Sequence, residues 1–144
     1  MEGSTTIRIE VVRSWDSDEI VTLYREGGWW KPGYDPSELP ALIRSSFAFA
    51  VAVEDKTGSA IGMGRVISDG ISDAYIQDLV VMQEFRGRGV GRKILTCLVE
   101  YCLSQSVYWI SLIAEPGTEE FYLPAGFSRM EGYIPMLYDG DSKK

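Results

Sequence analysis

The sequence contains no histidine. That absence excludes Ser-His-Asp and Cys-His nucleophiles, histidine-ligated zinc and acid–base work by an imidazole. Cysteine is scarce, with only Cys97 and Cys102. Two thiols cannot build a disulfide scaffold or a four-cysteine metal site. They lie five apart in what reads as a helix, so they project from different sides and are expected to be small buried residues. Cations are outnumbered, 14 Lys and Arg against 21 Asp and Glu, for a net charge of −7. That balance argues against nucleic-acid binding, which takes Lys and Arg facing phosphates. No apolar run approaches the ~20 residues of a membrane span. Residues 1–6 lack the basic start and apolar stretch of a signal peptide. The expectation is a cytoplasmic protein with no membrane and no nucleic-acid partner. Repeats, low-complexity tracts and linkers are also missing. At 144 residues and 45% hydrophobic, the chain is expected to form one domain, residues 1–144, around one core.

The residues that are present carry clear periodicities. Residues 5–12 alternate polar and apolar, as a strand does. Ser14 and Asp16 offer caps for a helix carrying Ile20, Leu23 and Tyr24, which Gly27-Gly28 should stop. An aromatic loop with Trp29, Trp30 and Tyr34 follows. Asp35-Pro36 then opens a second helix, with proline at its first turn. Residues 47–53, 60–68 and 74–82 read as three consecutive strands, turned at Asp55–Gly58 and at Asp69-Gly70. From Val90 the spacing becomes helical through Ile94, Leu95, Leu98, Tyr101 and Cys102. Residues 107–114 predict a buried strand, residues 116–122 a short helix ending at Gly126, and residues 127–137 a last strand. The order β-α-α-β-β-β-α-β-α-β makes an α+β domain. Its central sheet is mixed and mostly antiparallel, flanked by helices, with a right-handed crossover between its parallel strands.

Chemistry concentrates in Arg86-Gly87-Arg88-Gly89-Val90-Gly91-Arg92, between a strand and a helix. Alternate glycines let the backbone turn tightly and approach a ligand closely. The N–H groups at the helix start, with the helix dipole, make an anion site. Arg86, Arg88, Arg92 and Lys93 form a basic island in an acidic chain. A phosphate-bearing ligand accounts for all of this. The loop lacks the Gly-Lys-Ser/Thr of a Walker A motif, and it fails the dinucleotide fingerprint after Gly91.

Arg86-x-x-Gly89-x-Gly91 resembles the R/Q-x-x-G-x-G/A motif of the GNAT N-acetyltransferase superfamily. Asp78-Leu79-Val80-Val81 resembles that family's central strand, and residues 121–127 (Phe-Tyr-Leu-Pro-Ala-Gly-Phe) resemble its FYxxxGF element. The resemblance implies the acyl-CoA N-acyltransferase fold. It also implies transfer of acetyl from acetyl-CoA to a primary amine by direct attack in a ternary complex, with no metal. Gly87, Arg88, Gly89, Val90, Gly91 and Arg92, with Arg86, would hold the pyrophosphate. Leu79, Val80 and Val81 would pair with the pantetheine arm where the strand splays from its parallel neighbour, and an N–H near Leu79 would polarise the thioester carbonyl. Tyr122 falls at the family's acid position, and a phenol suits a departing thiolate. The ammonium proton would pass to a carboxylate near the central strand. Asp78 is the first candidate, because an acid in an apolar strand is costly unless it has a task or a partner; Glu115 is the second. Trp29, Trp30 and Tyr34 would line the acceptor pocket, with Tyr133, Ile134 and Met136 as its opposite wall. Members of the family are often homodimers. The alternative is a non-catalytic acyl-CoA-binding sensor or interaction module of the same fold.

Overall fold

The computed structural model describes residues 6–140. Residues 1–5, including Thr5 at the head of the first predicted strand, lie outside the described residues. By its contacts the chain divides into two compact units, Met1–Leu112 and Ile113–Lys144.

The first unit is built on a sheet in the order β1-β2-β3-β4-β5. The strands are β1 (Ile7–Val11), β2 (Ala48–Glu54), β3 (Ser59–Ser68), β4 (Asp73–Val81) and β5 (Trp109–Ser111). The first four pair antiparallel. β5 pairs parallel to β4 over Asp73–Trp109, Ala74–Ile110 and Tyr75–Ser111. Three helices flank the sheet: α1 (Ser17–Glu26), α2 (Leu39–Ser45) and α3 (Val90–Ser104). Local chemistry sets their ends. The Asp16 carboxylate accepts from the Asp18 N–H at 3.1 Å and satisfies a free donor at the start of α1. Asp35 does the same for Ser37 at 2.9 Å, where a tight turn at Pro36–Glu38 leads into α2.

β2 alternates large and small side chains, and the two sets face different partners. Phe49, Val51 and Val53 join Ile20, Leu23, Leu39, Ile43, Met63 and Val80 in a core under α1 and α2. Ala50 and Ala52 sit on the opposite face, paired with Gly64 and Gly62 of β3. There α3 lies close to the sheet. A Cβ at Gly64 would stand 3.1 Å from Ile94 and Leu98 methyls and 3.2 Å from a Leu79 methyl. Small residues thus clear a bed for the helix, while large ones fill the other side.

Two predicted strands differ. The strand predicted at 107–114 is confined to Trp109–Ser111. Val107 is buried, but Tyr108 and Trp109 are exposed. β5 is an edge strand with one partner, so part of its apolar run faces outward. The strand predicted at 127–137 carries no ladder, and Tyr133, Ile134, Met136, Leu137 and Tyr138 are exposed. A strand is defined by its pairing, which apolar spacing alone does not supply.

The second unit is small. A short helix, α4 (Glu119–Tyr122), runs into a tight turn at Leu123–Ala125 that ends at Gly126. Arg129 grips the Glu119 carboxylate through Nε and a terminal nitrogen, at 2.6 and 2.7 Å.

Candidate active site

The site grows from the end of β4. Its ladder with β5 stops at Tyr75–Ser111, yet β4 continues to Val81. The strands therefore part along Ile76–Val81, in the stretch that holds Leu79, Val80 and Val81. Val80 belongs to the core under α1, and Val81 is also buried. β4 is also irregular on its other side. Its register with β3 runs from Arg65–Gln77 directly to Met63–Val80, so Asp78 and Leu79 stand opposite the single residue Gly64. This is a β-bulge. Asp78 adopts a left-handed backbone with φ 63°.

After β4 a tight turn at Gln83–Phe85 leads into the glycine loop. Gly87 and Gly89 take φ 78° and 81°, and a Cβ at either would meet nothing within 4 Å. These glycines serve the turn and leave open space above the backbone. Gly89 caps α3 with no side-chain hydrogen bond. The first-turn N–H groups of an α-helix have no acceptor within the helix. They meet a ligand's negative charge well, because the helix dipole points the same way. Val90, the first residue of α3, is buried. Arg88 lies over the Phe85 ring at 5.2 Å.

Arg86 has tasks within the fold. Its Nε donates to the Val81 carbonyl at 2.9 Å, and a terminal nitrogen reaches Glu26 of α1 at 2.8 Å. Its side chain thus joins the end of β4 to the end of α1, a contact the sequence reading did not foresee.

Asp78 is also better supplied than its apolar strand suggested. Its Oδ2 accepts from the Tyr24 hydroxyl at 2.7 Å and from Arg65 Nε at 2.8 Å. The Arg65 and Asp78 side chains are 16% and 15% exposed, so water screens this pair weakly. Arg65 donates further to Ser46 Oγ at 3.4 Å and Gln77 Oε1 at 3.3 Å. Burial, and then the Asp78 charge, raise the Tyr24 pKa, so this hydroxyl keeps its proton. The sequence reading missed Tyr24 and Arg65 as site residues. The one cation of β3, Arg65, and the one acid in the interior of β4, Asp78, were a signal able to pair them.

The aromatic loop is tied to the same helix. Trp29 and Trp30 are partly buried against the α1 core. Tyr24 touches both rings, at centroid distances of 6.3 and 6.2 Å, and Trp30 meets the exposed Tyr34 edge-on at 5.4 Å. These three predicted acceptor residues form one aromatic cluster with Tyr24.

In the second unit, Tyr122 stands edge-on to Phe121 and Phe127, at 5.0 and 6.0 Å. Burial, and then the Glu115 charge, push its hydroxyl pKa up, so it carries its proton at neutral pH. Cys97 and Cys102 have raised pKa values, mainly through burial, and neither is an activated thiolate. Among the described residues no cluster of acidic or cysteine side chains is arranged to hold a metal, and no helix is long and apolar enough to cross a membrane.

Known proteins share this fold. The family model described as Acetyltransferase (GNAT) family matches residues 11–127. The chain is 26% identical over 122 residues to GCN5-related N-acetyltransferase 1, chloroplastic, of Arabidopsis thaliana, covering 84% of this chain and 61% of that protein. It spans about six-tenths of the length of such curated relatives. A GNAT-family acetyltransferase from Streptococcus pneumoniae superposes with TM-score 0.76 at 20% identity, covering 92% of this chain and 97% of the other. An aminoglycoside N-acetyltransferase solved in complex with CoA superposes with TM-score 0.72 at 17% identity, covering 96% of this chain and 98% of the other. The mixed sheet with flanking helices is the acyl-CoA N-acyltransferase fold of these neighbours. With the family model running from the end of β1 through the element that carries Tyr122, the chain belongs to the acetyltransferase (GNAT) family.

Proposed function

We propose that the protein transfers an acetyl group from acetyl-CoA to a primary amine by direct attack. The observation that carries this reading is the unobstructed glycine loop at the start of α3, directly after the strand that parts from its neighbour. Backbone N–H groups of Gly87 to Arg92 hold the pyrophosphate, with Arg88 and Arg92 adding charge. Arg86 serves mainly by fixing the loop to β4 and α1. The edge of β4 at Leu79, Val80 and Val81 offers its backbone to the pantetheine amides. Acetyl-CoA supplies an activated acetyl thioester.

The Leu79 N–H faces the negative charge that develops on the carbonyl oxygen. Tyr122 gives its proton to the departing sulfur. Asp78 and Glu115 are the carboxylates proposed for the ammonium proton. Trp29, Trp30 and Tyr34 form an aromatic wall for the amine, where a cationic head gains from ring faces and nearby carboxylates.

Tyr122→Phe tests the chemistry. The variant should bind acetyl-CoA as the parent does, with kcat lower by about a hundredfold. Full activity removes the assigned acid. A parent protein that gives no heat with acetyl-CoA in calorimetry, and no competition by CoA, removes the cofactor reading.

A further inference from the structure

The ion pair within the sheet bears on the backbone as well as on the proton traffic proposed for Asp78. Asp78 sits at the first of the two bulge residues, with φ 63°. A left-handed residue there is ordinarily glycine, because a side chain crowds the neighbouring carbonyl. Aspartate visits this region more readily than most residues, but the conformation lasts only where its surroundings hold it. Two elements hold it here. Tyr24 reaches Oδ2 from α1, and Arg65 reaches the same oxygen from β3. Arg65 is steadied in turn by Ser46 and Gln77. The next residue is anchored elsewhere. The Leu79 side chain packs beside Gly64 on the face that carries α3, 3.2 Å from where a Gly64 Cβ would stand. Asp78 and Leu79 are thus held by different groups, one on each side of the peptide that joins them.

We propose that Arg65 and Tyr24 are positioning residues. By gripping the Asp78 carboxylate they fix the left-handed bulge and, with it, the direction of the Leu79 N–H. The use of that N–H rests on the acetyl-transfer reading; the grip does not. The role holds whether or not Asp78 also accepts a proton.

Asp78→Gly and Asp78→Ala both delete the carboxylate, but only glycine keeps a positive φ without being held. The glycine variant should exceed the alanine variant in kcat by about tenfold, with a smaller difference in KM for acetyl-CoA. Equal kcat values in two folded variants overturn the proposal. Arg65→Gln and Tyr24→Phe give a second reading through the Leu79 amide resonance in 15N NMR. This resonance should move in both variants and return toward its parent position with Arg65→Lys. A Leu79 resonance that stays in place in Arg65→Gln also overturns the proposal. The NMR result does not depend on turnover. An inactive parent protein therefore removes the acetyl-transfer reading and leaves the grip to be judged by the amide.

Discussion

Glycine is used in two ways within this fold. In the loop before α3, Gly87 and Gly89 have positive φ and open space where a side chain would stand. In β3, Gly62 and Gly64 have ordinary strand geometry, and a Cβ would meet neighbours at 3.0 to 3.4 Å. The first pair serves the backbone's own conformation and, in the function proposed above, a visitor. The second exists so that Ile94 and Leu98 of α3 can lie against the sheet. One residue type therefore marks both a loop left open, proposed to receive a ligand, and a surface kept clear for a helix. Only φ and the neighbouring atoms separate the two.

Substitution should separate them cleanly. Gly64→Val forces branched methyls into a filled interface, and it should lower unfolding free energy by about 2–3 kcal/mol. Urea denaturation measures the loss, while the folded fraction keeps its affinity for acetyl-CoA. Unchanged stability would dissolve the distinction. Gly89→Val is expected to do the reverse. Titration calorimetry should show acetyl-CoA affinity falling by about tenfold, some 1.4 kcal/mol. The stability cost of the left-handed position, about 1–2 kcal/mol, is the smaller signature there. Intact affinity in that variant would mean that the open space serves no ligand.

The smallest effect concerns the aspartate standing where a bulge would usually place glycine. Tyr24, which donates to Asp78, has its pKa raised above the ordinary value of 10.0. Above that pH the unfolded chain sheds this proton first and binds fewer protons than the folded one. The Tyr24 contribution is therefore intact below pH 10.0 and fades as pH rises toward the folded value. Alkaline denaturation should have a shallower slope in Tyr24→Phe. An unchanged slope would mean that the hydroxyl titrates freely and does not grip Asp78.

The sequence made these regions legible to different degrees. The caps at Asp16 and Asp35, the turn at Asp55–Gly58 and the glycine-led start of α3 were readable because each depends on residues within a few positions. The loop arginines were readable as a basic island for the same reason. Arg86 was the exception within it, since its partner Glu26 lies 60 residues away. Asp78 was recognised as a costly acid in an apolar strand, but its partners lie 13 and 54 residues off, where periodicity carries no information. β5 and the tail beyond Phe127 had apolar content typical of strands. How many of those residues enter a ladder depends on a neighbour's edge, which no local pattern encodes. Gly62 and Gly64 were readable in principle, because glycine inside a strand signals close approach or a bulge; α3 approaches both, and Gly64 also faces the bulge.

The parting of β4 from β5 has a further consequence, for solubility. A stretch of strand with unshared backbone groups is a template for any extended chain, including a second copy of itself. From Ile76 to Val81 such a template would run about 20 Å if it were straight. The bulge at Asp78 bends it, and the charged side chain sits in the middle of the bend. A foreign strand cannot follow the edge in register past that point. The irregularity proposed to aim one N–H is therefore also of the kind that blunts an open strand edge against pairing with another sheet.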